Sequence, residues 1–189
     1  MSRRAGQGPA AQAQRDRHTS SAANRFRIQL HSCPRGWADV VRRAVRLALR
    51  LCRHSHDGGA SRSRAGSLSI AFVSDDQIAA LNESWLRHVG PTDVLTFDLR
   101  DDPDADRIDG QIVVSLDTAR REARRRGHAP RDEALLYVVH GVLHLLGYDD
   151  RRAAQRREMH EKEDEVLHAL GVGRVYHSRR RGGTRRARK

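Results

Sequence analysis

The apolar positions of this chain change period several times, and each change marks an element. "RFRIQLH" (Arg25 to His31) places Phe26, Ile28 and Leu30 on one face at period two, the alternation of a half-buried strand. "WADVVRRAVRLALR" (Trp37 to Arg50) shifts to helical spacing, with Val40, Val41, Ala44, Val45, Ala48 and Leu49 on one stripe. A Gly/Ser/Arg/His stretch, His54 to Ser67, reads as a loop. "SLSIAFV" predicts a second strand, and Ser74 with Gln77 forms a capping box that opens a helix to about Arg87. "DVLTFDL" (Asp93 to Leu99) and "QIVVSL" (Gln111 to Leu116) predict two more strands, separated by an acidic turn from Asp101 to Asp109. Three helices follow: Asp117 to Arg126, stopped by Gly127; Arg131 to Leu146, opened by Pro130 and ended by Gly147; and Arg151 to Leu170, charged but striped with Met159, Val166 and Leu170. The order β-α-β-α-β-β-α-α-α predicts an α+β domain, a small mixed β-sheet covered by helices.

Length and charge add a frame. With 189 residues the chain can hold one domain with a real core, assigned here to residues 25–171. The net charge of +12 is mostly outside that domain: residues 174–189 hold eight Lys/Arg and no acid, and residues 1–24 hold four Arg against Asp16. Residues 1–24 and 172–189 are therefore expected to be disordered basic tails that seek polyanions in a salt-sensitive way. The first tail shares an Arg-rich, acid-poor composition with organellar transit peptides but lacks their apolar face. Two cysteines, Cys33 and Cys52, are too few for a disulfide framework and suit a reducing cytosol. No apolar run approaches the roughly 20 residues needed to cross a bilayer, and the start lacks the apolar stretch of a secretory signal. A soluble, cytoplasmic protein is expected.

The chemistry is concentrated in "YVVHGVLHLLGYDD" (Tyr137 to Asp150). Residues four apart on a helix share a face, so His140 and His144 can direct ring nitrogens at one point. Gly141 removes a side chain beside the first histidine, and Gly147 lets the backbone turn so that Asp149 or Asp150 returns over the same face. Asp150 is the better third ligand, although it could instead cap the last helix; His160 is the alternative. Three ligands leave a position open, as catalytic metal sites do. The helix is zincin-like in its histidine spacing, but Gly141 stands where the peptidase pattern HExxH carries its general-base Glu, so a metallopeptidase would lack its base.

"HGVLHLLGYDD" resembles the signature of the YbeY family, bacterial endoribonucleases of ribosomal RNA maturation, whose usual form is HGxLHLxGYDH. "LNESWLRHVGPTDVLTFDL" (Leu81 to Leu99) and "DGQIVVSLDTARREA" (Asp109 to Ala123) resemble further family blocks in order and spacing. The resemblance implies that His140 and His144 bind one divalent ion, zinc above all, with Asp150 in the third-ligand place normally held by His. It implies that Arg87 is the functional arginine, a guanidinium that clamps a phosphodiester. Thr92 and Asp93 would organise the turn into their strand, and Gln111 stands where an acid is common. The implied function is a single-strand-specific, metal-dependent endoribonuclease of 16S rRNA processing and ribosome biogenesis. Its partners would be ribosomal RNA and a ribosomal particle or ribosomal proteins. With eight aromatic residues in all, the chain has no stacking platform of its own, so specificity would come from how the particle presents the strand. The rival reading is a metal-stabilised rRNA-binding assembly factor with little or no nuclease activity.

Overall fold

A computed structural model describes residues 26–52, 66–102 and 107–173. Residues 1–25 and 174–189, most of the His54 to Ser67 loop, and the middle of the acidic turn lie outside the described residues, whereas Val172, expected in the C-terminal tail, packs against the core and donates its N–H to Leu167 O (3.0 Å). Four strands, β1 (Arg27–His31), β2 (Gly66–Val73), β3 (Val94–Asp98) and β4 (Ile108–Ser115), form one sheet in the order β1-β2-β4-β3. β1 and β4 run parallel to β2, and β3 lies antiparallel on β4. The helices are α1 (Ala38–Leu51), α2 (Asp75–Leu86), α3 (Leu116–Arg126), α4 (Pro130–Leu145) and α5 (Ala153–Ala169). The predicted element order and the mixed sheet are both present. No helix among the described residues is long and apolar enough to cross a membrane.

Strand alternation sorts the core into two sides. Leu68, Ile70 and Phe72 of β2, with Ile108, Ile112 and Val114 of β4, join the main core with α1, α4 and α5. Leu95 and Val113, backed by Ala71, Val73 and Phe97, meet Ile78 and Leu81 of α2 in a smaller cluster. The end of β4 is thus covered on both faces, which is why "IVV" reads as an unbroken apolar run.

β4 begins at Ile108, inside the predicted acidic turn. Asp109 tolerates a strand position because its Oδ1 accepts both the N–H and the hydroxyl of Ser67 at 2.9 Å, and Arg107 pairs with its other oxygen. A second polar staple ties α2 to α3. Asp75 accepts the hydroxyls of Ser115 (2.5 Å) and Thr118 (2.8 Å) and the guanidinium of Arg121 (2.9 Å), while its own N–H donates to Asp117.

α4 is the centre of the fold. It packs on β3 and β4 and against α1, α3 and α5, and it buries every residue from Glu133 to Leu145 except the half-buried His140 and His144. A paired C-terminal lock ends it: Gly147 N–H donates to His144 O (2.8 Å) and Tyr148 N–H to Leu143 O (3.0 Å), with Gly147 at φ 89°. The chain therefore reverses within a residue or two and starts α5 at Ala153, two residues later than the sequence suggests.

Candidate metal centre

The helix that carries the histidines lies unusually close to the sheet at Gly141. A Cβ there would stand 2.9 Å from both Ile112 Cδ1 and Thr96 Oγ1 and 3.1 Å from Ile112 Cγ1. The glycine thus serves helix-on-sheet packing, and the expectation that it clears space beside an ion is corrected: a side chain here would run into Ile112 and Thr96 of the sheet. A Glu at this position has no room, so the peptidase base is excluded by packing as well as by sequence.

His140 and His144 face each other. Their Nε2 atoms are 3.0 Å apart, and the rings meet edge to face with centroids at 4.5 Å. Behind them, His140 Nδ1 lies 2.7 Å from Glu163 Oε1, and His144 Nδ1 lies 3.1 Å from the Tyr148 carbonyl oxygen. A carboxylate and a carbonyl only accept, so each Nδ1 carries the hydrogen and each Nε2 presents a lone pair to the other. Two lone pairs at this separation call for a proton or a cation between them. Asp150 completes the donor set, since one ligand atom from each of His140, His144 and Asp150 lies within 4.8 Å of the others. Two imidazole nitrogens and a carboxylate oxygen are a donor set that suits a divalent transition metal.

The electrostatics agree with this polarity. Burial opposes charge on His140, but the hydrogen bond and charge of Glu163, with Asp150 and Asp93 beyond, raise its pKa above the ordinary value. His144 is pushed the other way by burial and by the neighbouring His140. The two rings are thus shifted in opposite directions, with Glu163 making His140 the more basic of the pair.

The turn separates the two aspartates by role. Asp149 Oδ1 accepts the N–H groups of Asp150 (2.8 Å) and Arg151 (3.2 Å), an Asx-type turn that fixes the backbone. Asp150 is not the cap of α5, whose N-cap is Arg152, so its carboxylate is spared for the cluster. His160, the alternative third ligand, is not among the clustered residues. Arg87 ends α2 in the left-handed conformation (φ 57°) with an exposed side chain. No described hydrogen bond or ion pair links Arg87 to the histidines, though the segment it opens ends at Asp93, whose charge acts on His140. Asp93 Oδ1 accepts the Val94 N–H (2.9 Å) and the Thr92 hydroxyl (3.1 Å), organising that turn. Gln111 lies on the β4 register between Ser69 and Phe97, on the strand face away from α4.

Sequence reasoning missed Glu163. It is fully buried, and its second oxygen has no hydrogen-bond partner. The available signal was its place on the apolar stripe of α5, between Met159 and Val166, where an acid has to be compensated from another element.

Fold and site together define an α+β domain with a candidate metal centre, two imidazoles on a central helix, a carboxylate from the turn behind it, and a buried acid supporting one ring. The family described as Endoribonuclease YbeY matches residues 34–171, and the chain belongs to it. It is 45% identical over 111 residues to Endoribonuclease YbeY of Carboxydothermus hydrogenoformans, a stretch that is 59% of this chain and 77% of that protein. It is 45% identical over 117 residues to the Anaeromyxobacter dehalogenans protein of the same name, 61% of each. The solved structure of TM1509 from Thermotoga maritima shares the fold, with a TM-score of 0.53 at 23% identity, covering 85% of this chain and 99% of that one.

Proposed function

We propose that this chain is a metal-dependent endoribonuclease that cleaves single-stranded ribosomal RNA during 16S rRNA maturation, acting on a ribosomal particle in the cytoplasm. The activity is that of the relatives' printed name. The observation that carries the metal dependence is the pair of Nε2 lone pairs facing each other at 3.0 Å with Asp150 beside them. A divalent ion held by His140, His144 and Asp150, zinc by preference of the two imidazoles, would supply Lewis acidity toward a phosphodiester oxygen. The protein's own part is positional. Glu163 fixes the ring of His140, the Tyr148 carbonyl fixes that of His144, and the Asp149 turn presents Asp150. Arg87 is assigned to the substrate, as an exposed guanidinium that offsets charge growing on the scissile phosphate.

The test uses the full chain and a fluorescent single-stranded RNA. Cleavage should stop with chelator, return with zinc, and be lost in His144→Ala. Arg87→Ala should slow cleavage at unchanged zinc content. Cleavage that persists at the same rate in chelated protein and in His144→Ala refutes the metal-dependent reading.

A further inference from the structure

α1 carries a second feature that the histidine site does not use. Its sequence ADVVRRAVRLALRL has one acid, Asp39, which pairs with Arg42. The remaining arginines, Arg43, Arg46 and Arg50, are exposed. Among the described residues none of these three has an ion-pair partner. Spaced three and then four residues apart, they lie within about 60° of arc and span about 10 Å along the helix. That length suits a run of backbone phosphates better than one small anion.

The same three arginines line a cleft of about 750 Å³ whose other walls are Phe26, Leu47, Leu49 and Ala169. A guanidinium rail beside an apolar floor matches a ligand that alternates anionic and flat apolar groups. The sequences before Phe26 and after Gly173 are both net basic. The chain's own ends are therefore poorly matched to the cleft by charge.

We infer that the α1 arginine rail and its cleft are a second binding surface for single-stranded RNA, with phosphates along Arg43, Arg46 and Arg50 and a base against the Phe26, Leu47 and Leu49 floor. The inference rests on the RNA reading of the site, but its test does not depend on cleavage. Affinity for a single-stranded RNA oligonucleotide is measured against salt for three full-length proteins. These are wild type, a rail variant (Arg43→Gln, Arg46→Gln, Arg50→Gln), and an equal-charge control (Arg35→Gln, Arg124→Gln, Arg157→Gln). The substituted rail positions are exposed, and circular dichroism confirms folding.

The rail variant should bind about tenfold or more weakly at low salt. Its log–log salt slope should be shallower by about 2, the loss of three single-strand phosphate contacts at roughly 0.7 each. The control should change much less. Equal slopes for rail variant and control overturn the proposal, as does loss of poly-glutamate binding in the rail variant with RNA affinity unchanged, which would make the occupant an acidic protein. Wild-type protein that binds RNA through the rail yet never cleaves it would overturn the nuclease reading alone. Cleavage with unchanged slopes would overturn the rail alone.

Discussion

Glu163→Gln isolates the contribution of a residue that lies behind His140 and outside the proposed ligand set. In the native site the carboxylate meets His140 Nδ1 at 2.7 Å, a charge-assisted hydrogen bond, and the side chain is fully buried. Glutamine can still place an amide oxygen at that nitrogen, so the ring stays oriented, but the negative charge that makes the far nitrogen more basic is gone. Replacing a charged hydrogen bond by a neutral one costs about 1 to 1.5 kcal/mol. Substitutions behind metal-bound histidines lower affinity about 10- to 100-fold, or about 1.4 to 2.8 kcal/mol. The apo protein should respond differently. Losing the charged bond is offset by relief of a buried carboxylate whose second oxygen has no partner, so apo stability should move by less than about 1 kcal/mol. Zinc affinity is read by competition with a chromophoric chelator, and apo stability by urea unfolding of the same samples. Wild-type zinc affinity in Glu163→Gln, alongside loss of binding in His140→Ala, would refute a supporting role for Glu163.

Asp150→Asn should lower zinc affinity on the order of tenfold or more with no change in apo melting, because Asp150 does not occupy the N-cap position of α5, and Asp150→His should bind tightly; the same titration decides both. Gly141→Ala gains about 1 kcal/mol of helix propensity but drives a methyl into Ile112 and Thr96, so urea unfolding should show a net loss of up to about 2 kcal/mol; a more stable protein would mean the contact with the sheet is loose. Burial pushes Asp75 up, but hydrogen bonds from Ser115, Arg121 and Thr118 outweigh it and hold the carboxyl at about 2, below its usual 3.8. A depressed carboxyl stabilises the fold above its unfolded value and loses that contribution as pH falls through about 2. Asp75→Asn should therefore cost about 1 to 2 kcal/mol at neutral pH, allowing for solvent screening, with the difference from wild type closing near pH 2.

The period changes of the sequence yielded the element order, the mixed α+β architecture and the helix that carries the histidines, because each face of the sheet and the buried side of α1 obey a simple alternation. Boundaries slipped where a polar residue was rescued by a distant partner. Asp109 looked like part of a turn because Ser67, its partner on the adjacent strand β2, is 42 residues away. The clustering of His140, His144 and Asp150 was legible because all three lie within eleven residues, and helix geometry plus a glycine stop fixes how such a segment folds back. Gly141 was misread because the residues that crowd it, Thr96 and Ile112, come from strands distant in sequence and leave no mark in the histidine segment itself. Glu163 illustrates a related rule. Seen along α5 it merely interrupts the stripe of Met159 and Val166, yet a carboxylate in that stripe is bound for the core and needs a donor there. The most strongly determined partner for it is an imidazole on the adjoining helix, already required to keep its other nitrogen free. Read this way, an acid on an apolar stripe and a histidine on a core helix are two halves of one observation.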